Sequence, residues 1–430
     1  MDKNKMEELK FKYISALKVL ETKLEIINDE FNQSNSFNPI EHIKARIKSD
    51  ESIYNKLKKE GYDITEENII EKIHDIAGIR IVCSFLSDIE RIEKLIRNDK
   101  DLKIIRRKDY INNPKQTGYS SIHLTVLVPV TTLDKVEYVG VEIQIRTIAM
   151  DMWASLEHKL LYKSHKEYSE DLQELMRDFS TTTKNIDKVM EYMIKESSNN
   201  YKVGDITKEE IRKTKKIEDT PMLKYELARN LMKEKIENLN YELAITKDSN
   251  PIEHIKTRIK KPRSIVRKLE KSNYEISEEN MKNHVHDLIG IRIVCSFLSD
   301  LYEIKNILKS DPTLNIIKEK DYINNPKPNG YRSYHINAII PVNMIDRTEY
   351  VEAEIQLRTL AMDMWASLEH KISYEKNGEI PNYITEQLKD ISNRTYEIDS
   401  TIENIINNQN KILSNNKVKK LSLAKKSICG

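Results

Sequence analysis

The chain has 430 residues, 33% of them charged, and its 71 basic and 69 acidic side chains leave a formal net charge of +2. That length holds two or three ordinary domains, each able to bury its own core, and the near balance of charge excludes a generic polyanion binder, so any anionic ligand must be held by local clusters. Three cysteines exclude a disulfide framework, no apolar stretch approaches the ~18 residues of a membrane span, and the start MDKNKMEELK lacks a signal-peptide core, so the expectation is a reducing cytoplasm and no membrane partner.

In chain order, residues 5–31 repeat apolar positions at helical spacing through Ile14, Leu17, Leu20, Leu24, Ile27 and Phe31. Asn38-Pro39 reads as an N-cap followed by proline at the first helical position, which predicts a helix starting just before the basic run Arg46, Lys48, Lys56. IRIVCSF (79–85) reads as a buried strand, 87–98 as a helix, 122–130 and 136–146 as strands, and 147–161 as a helix. Long amphipathic segments close the pattern, with Leu172, Leu175, Met176, Phe179, Ile186, Val189, Met190 and Met193 in the first of them.

The sequence then starts again. HDIAGIRIVCSFLSD (74–88) returns as HDLIGIRIVCSFLSD (286–300), an offset of 212 residues, and NPIEHIKARIK, DYINNPK and EIQIRTIAMDMWASLEHK return at the same offset. A period this long means duplicated globular domains rather than a solenoid. The polar stretch 196–216, with Gly204, is the natural linker, so the domains are expected at 1–210 and 211–430. Each is expected to be an α+β domain with a short mixed sheet between helices.

Alternation along VEIQIR (141–146) puts Val141, Ile143 and Ile145 on one face and Glu142, Gln144 and Arg146 on the other, and AEIQLR (353–358) repeats Glu354, Gln356 and Arg358. A polar row of this kind is either a solvated face or a site. A second carboxylate, Asp75, precedes the apolar strand that carries Arg80, matched by Asp287 and Arg292; the spacing from aspartate to glutamate is 67 residues in both copies. Such an aspartate either caps a turn or joins the glutamate in holding Mg²⁺, which takes one or two protein carboxylates and leaves its other positions to water and phosphate oxygens.

Arg46, Lys48, Ser52 and Lys56, repeated as Arg258, Lys260, Ser264 and Lys268, share a helical flank or open a new helix at Pro262. They read as a solvated charged face or as phosphate ligands. Arg106, Lys108 and Lys115 lead into the loop NNPKQTGYSSIH, whose partner is NNPKPNGYRSYH. Gly118 and Gly330 permit a sharp turn, Tyr119 and Tyr331 either pack or lie on a purine ring, and His123 and His335 either meet a phosphate or stabilise the strand. No GxxxxGK[ST] loop is present.

The ordered series R-x-K-x-x-x-S-x-x-x-K, D-[IL]-x-G-I-R-I-V-C, G-Y-x-S-x-H, E-I-Q-[IL]-R-T and W-A-S-L-E-H resembles the synthetase domain of the RelA/SpoT family, in the manner of its small alarmone synthetases, and the resemblance covers both copies. It implies transfer of pyrophosphate from ATP to the 3′-hydroxyl of GDP or GTP, giving AMP and guanosine penta- or tetraphosphate. By matching position, Asp75 with Glu142 and Asp287 with Glu354 would hold Mg²⁺, and the glutamates would take the proton of the attacking hydroxyl. Arg46, Lys48, Ser52, Lys56 and Arg80, with Arg258, Lys260, Ser264, Lys268 and Arg292, would hold ATP. On the acceptor side would stand Lys108, Lys115, Tyr119, His123 and Gln144, with Lys320, Lys327, Tyr331, His335 and Gln356. Relatives of this kind assemble through helices, so the segments after 165 and after 382 are candidate surfaces for a homo-oligomer. RNA is not an expected partner, and neither a hydrolase nor a regulatory C-terminal domain is expected.

The copies differ. The first has Ser49-Asp50-Glu51 where the second has Lys261-Pro262-Arg263, and Thr117, Ser120 and Ile122 for Asn329, Arg332 and Tyr334. Acids close to a bound triphosphate should weaken donor binding, so the second copy is expected to be the stronger catalyst; Ala77 against Ile289 has no assigned sign. Two alternatives remain at this level: a relative that pyrophosphorylates the 3′ end of tRNA, and a nucleotide- or RNA-binding regulator with one silent copy.

Overall fold

The computed structural model describes residues 3–33, 38–132, 135–164, 170–198, 208–247, 250–375 and 381–428. They divide into two compact units, Met1–Glu157 with Tyr168–Glu196 and His158–Glu167 with Ser197–Gly430, each with its own five-stranded sheet.

Along the first copy the order is α1 (Lys3–Gln33), β1 (Ile40–Ile47), α2 (Asp50–Lys59), α3 (Glu66–Lys72), β2 (Ala77–Cys83), α4 (Leu86–Asn98), β3 (Lys103–Asp109), β4 (Ile122–Thr131), β5 (Val136–Thr147), α5 (Ile148–Ser164) and α6 (Glu170–Ser198). The sheet runs β1-β2-β5-β4-β3. Only the β2–β5 pair is parallel, and α4, β3 and β4 lie between those strands in sequence, as a parallel connection requires. The expected strands at β2, β4 and β5 and the helices α1, α4 and α5 are all present.

The sheet's apolar face, with Ile79, Ile81, Leu124, Val141, Ile143 and Ile145 all at 1% exposure or less, packs against α1. The buried stripe of α1 runs Met6, Leu9, Tyr13, Ala16, Leu17, Leu20 and Leu24; Ile14, expected on it, is exposed, because spacing alone leaves the stripe's phase open by a residue. In α6, Met176, Phe179, Ile186, Met190 and Met193 are buried, Leu175 and Val189 are half-buried, and the Leu172 side chain lies outside the described residues.

The helix expected after Asn38-Pro39 is strand β1. The Asn38 carboxamide oxygen accepts from Ile40 N at 2.8 Å, while its nitrogen donates to Asn28 and Asn32 of α1, so Asn38 turns the chain off α1 into an extended segment that pairs with β2. The basic run is therefore divided: Arg46 ends a strand, and Ser52 and Lys56 stand on α2, whose N-cap is Ser49. Edge strand β3 was not anticipated, because KIIRRKD is too charged to show as a buried strand.

The second unit repeats the plan: α7 (Lys208–Glu218), α8 (Leu223–Thr246), β6 (Ile252–Ile259), α9 (Pro262–Lys271), α10 (Glu278–His284), β7 (Ile289–Cys295), α11 (Leu298–Ser310), β8 (Asn315–Asp321), β9 (Tyr334–Asn343), β10 (Thr348–Thr359), α12 (Leu360–Glu375) and α13 (Asn382–Ile428), with sheet order β6-β7-β10-β9-β8. Pro262 begins α9 as expected. Helix α7 occupies the second half of the stretch read as linker; residues 199–207, with Gly204, and Cys429 lie outside the described residues. In α13, Ile384, Leu388, Ile391 and Ile402 are buried.

Candidate active site

The register of the first sheet sets two rows of side chains across its polar face. Arg46, Gly78, Glu142, Thr125 and Arg106 are successive partners across β1, β2, β5, β4 and β3, and Lys44, Arg80, Gln144, His123 and Lys108 form the next row. The second sheet repeats the rows as Arg258, Gly290, Glu354, Asn337, Lys318 and Lys256, Arg292, Gln356, His335, Lys320. A Cβ on Gly78 would stand 3.9 Å from the Arg46 side chain, and one on Gly290 would stand 3.4 Å from Arg258, so in both copies the motif glycine lies in van der Waals reach of this arginine.

Asp75 enters β2 between two ammonium groups: Lys48 donates to one carboxylate oxygen and Lys56 to the other at 3.0 Å. Burial alone would raise the carboxyl, but the hydrogen bonds and charges of both lysines hold it below its ordinary value. The same arrangement of Lys260 and Lys268 brings Asp287 down to about 2, against the same burial.

Glu142 is half-buried and held at both oxygens, with His123 Nδ1 at 3.2 Å from Oε1 and Gln144 Nε2 donating to Oε2 at 2.7 Å. Burial and the Asp75 charge push this carboxyl up, and the His123 and Gln144 contacts outweigh them, leaving it ionised near neutral pH. An ionised carboxylate only accepts, which assigns the His123 proton to Nδ1; Nε2 then accepts from the Tyr119 hydroxyl at 2.7 Å. Arg146 in turn donates to Tyr119 Oη at 2.5 Å and to Gln144 Oε1 at 2.7 Å. Glu354, His335, Tyr331, Gln356 and Arg358 repeat this network. The polar row on β5 is thus a connected network rather than a solvated face.

Tyr119 is packed, at 8% exposure, with Lys115 Nζ 4.6 Å and the Arg146 guanidinium 5.0 Å from its ring centre; Tyr331 is half-buried under Lys327 at 4.6 Å. Its loop turns at Gly118, where φ is +94°, and a Cβ there would meet Ser180 of α6 at 2.5 Å, so both backbone shape and close packing demand glycine. Ser52 and Ser264 are exposed in the first turns of α2 and α9.

Two of the copy-specific charges beside these helices are countered locally. Asp50 is ion-paired with Lys10 of α1, and Arg263 donates to Glu210 of α7 at 2.9 Å. Asp50 and Glu51 also lie in the first turn of α2, where acids favour the helix dipole.

One residue was missed in the sequence. Asp151 of α5 is buried against Arg80 at 3.0 Å and Arg146 at 3.1 Å, and Asp363 holds Arg292 and Arg358 at 3.0 Å each. Burial raises this acid, and Arg80, Arg146, His42 and Lys44 bring it below its ordinary value. The available signal was an aspartate among the apolar residues of AMDMWASLEH, since a buried acid requires cations.

The two carboxylates of each copy fit a divalent cation: both are ionised, each stands on or beside one of two adjacent parallel strands, and the charge of one is felt by the other. Among the described residues no group of three or more His, Cys, Asp and Glu is placed to hold an ion, so such a cation would keep most of its positions for water and phosphate oxygens.

A family model described as a region found in RelA / SpoT proteins matches residues 45–167 and again 257–379. GTP pyrophosphokinase YwaC of Bacillus subtilis is 47% identical over 178 residues, 41% of this chain and 85% of that protein. GTP pyrophosphokinase YjbM of the same organism is 35% identical over 190 residues, 44% of this chain and 89% of that protein. The crystal structure of small alarmone synthetase 1 from Bacillus subtilis bound to its product pppGpp is 34% identical, covers 45% of this chain and 97% of its own, and superposes with a TM-score of 0.43. Two matches to one family model and relatives covered over most of their length lead to one conclusion: the chain belongs to the RelA/SpoT family and holds two tandem copies of its synthetase domain.

Proposed function

We propose that the chain is a GTP pyrophosphokinase, transferring pyrophosphate from ATP to the 3′-hydroxyl of GDP or GTP to form (p)ppGpp and AMP. The observation that carries this reading is the pairing of two ionised carboxylates per copy between a basic donor edge and a basic acceptor loop, in relatives that are themselves named GTP pyrophosphokinases. Phosphoryl-type transfer asks a protein for positioning and charge neutralisation more than for covalent help.

On the donor side, Arg46, Lys48, Ser52, Lys56 and Arg80 bind the triphosphate of ATP, with Arg258, Lys260, Ser264, Lys268 and Arg292 in the second copy. On the acceptor side, Lys108, Lys115 and His123 meet phosphates, and Tyr119 packs against guanine once Lys115 swings from its ring to the ligand; Lys320, Lys327, His335 and Tyr331 do the same in the second copy. Glu142 or Glu354 accepts the proton of the 3′-hydroxyl. The oxygen then bonds to the β-phosphorus, the bond from that phosphorus to the α,β-bridging oxygen breaks, and AMP leaves with the electron pair. Asp75 with Glu142, and Asp287 with Glu354, would hold Mg²⁺, which when bound supplies charge neutralisation of the phosphate oxygens.

Among the described residues no helix is long and apolar enough to cross a membrane. We assign the protein to the cytoplasm and the helices that follow each sheet to a homo-oligomeric contact. Purified protein with labelled ATP, offered GMP, GDP, GTP or bulk tRNA separately, tests the central claim: label is expected on GDP and GTP, and label on tRNA alone would overturn it.

A further inference from the structure

Two positions beside the paired carboxylates separate the copies. The first has Gly140 and Thr125 where the second has Glu352 and Asn337. Glu352 lies two residues before Glu354 on β10, hence on the same polar face, and Asn337 of β9 is the direct register partner of Glu354. Asn337, at 6% exposure, donates through Nδ2 to Glu352 Oε1 at 2.8 Å, and the same nitrogen stands 3.4 Å from the backbone oxygen of His286. The other Glu352 oxygen is 2.8 Å from His286 Nδ1. His286 immediately precedes Asp287. Three side chains therefore tie the segment that enters β7, and with it Asp287, to the strand that carries Glu354.

The first copy cannot make this tie. Gly140 offers no side chain, and threonine has neither an amide donor nor the reach of asparagine. His74 is present there without a carboxylate at position 140 to meet it.

We infer that Glu352, Asn337 and His286 form a latch, built only in the second copy, that fixes Asp287 against Glu354 for a divalent cation. The inference rests on the proposed role of the two carboxylates. Asp287 and Glu354 repel one another, since the charge of Asp287 raises the Glu354 carboxyl. Holding the lead-in to β7 by its backbone and by the preceding side chain sets that separation in advance instead of leaving it to the cation. Glu352 acts in the latch through Asn337 and His286, as a positioning residue. The consequence is that the second copy saturates with divalent cation at lower concentration than the first.

The test uses the full chain with the first site removed by Asp75→Asn and Glu142→Gln. Mn²⁺ binding is followed by water-proton relaxation in the presence of a non-hydrolysable ATP analogue, beside the Mg²⁺ concentration for half-maximal activity and the unfolding temperature. Replacing Glu352→Gly with Asn337→Thr should weaken Mn²⁺ binding about tenfold, the lower end of the cost of losing a residue that orients a metal ligand. The converse graft, Gly140→Glu with Thr125→Asn in a chain carrying Asp287→Asn and Glu354→Gln, should tighten it; a Cβ at Gly140 meets only Thr125 Cγ2, at 4.0 Å, an ordinary contact. Unchanged Mn²⁺ affinity in both directions, or a lowered unfolding temperature with affinity intact, would overturn the latch. If Asp287→Asn in the chain lacking the first site itself leaves Mn²⁺ binding unaltered, the carboxylate pair is the reading that fails.

Discussion

Thr147 Oγ1 donates to Asp187 Oδ2 at 2.8 Å, joining the end of the strand that carries Glu142 to the long helix α6. The same hydroxyl oxygen accepts from Met150 N at 3.1 Å and so caps α5. Burial pushes Asp187 up to about 7, against the Thr147 hydrogen bond and aided by the Glu191 charge; Asp399, bonded by Thr359 at 2.5 Å, is also raised to about 7.

An acid whose value is higher in the folded than in the unfolded chain binds more protons when folded, so stability falls as pH rises from about 4 to about 7 and levels beyond. The double variant Asp187→Asn with Asp399→Asn keeps an oxygen for each threonine and loses the titration. Its unfolding temperature should therefore gain on the parent chain between pH 5 and pH 8, by about 2–4 °C per kcal/mol. An equal difference at both pH values would show that neither carboxyl titrates in this range.

Gly118→Ala and Gly330→Ala should each destabilise their unit by more than about 1 kcal/mol, because alanine meets both a left-handed backbone and a clash. The first should cost more, since its Cβ would stand 2.5 Å from Ser180 against 2.9 Å from Ser392 for the second. Urea unfolding measures both, and Ala tolerated at either site would contradict the tight seating of the loop.

Asp151→Asn removes the buried counter-charge of Arg80 and Arg146 and should cost about 3–5 kcal/mol. Adding Arg146→Met should recover part of that loss, because the uncompensated charge goes with it. Strictly additive losses in the double-mutant cycle would sink this account.

Glu142→Gln and Glu354→Gln, made separately, report which copy carries the activity; loss of a proton acceptor typically costs about 10²–10⁴ in rate within its own copy. The Glu354 variant should lose more of the total. The latch favours the second copy, whereas the local pairing of Asp50 with Lys10 and of Arg263 with Glu210 reduces the charge contrast beside the donor. A larger loss from Glu142→Gln would reverse the ranking.

Much of this molecule was legible before folding. The duplication, the strands around IRIVCSF and VEIQIR and the placing of Glu142, Gln144 and Arg146 on one face follow from identity at a fixed offset and from a period of two, both of which are local properties of the chain. That β1 is a strand, that Tyr119 is buried beneath Lys115, and that Asp151 binds two arginines were decided only by the tertiary structure. Each depends on partners distant in the chain: β2 offering an open edge to β1, Trp153 and Arg146 packing on Tyr119, and Arg80 of β2 meeting the acid of α5. A residue's own spacing records which face it shares, but its charge partner and its pairing strand are set by long-range packing, which local periodicity does not encode.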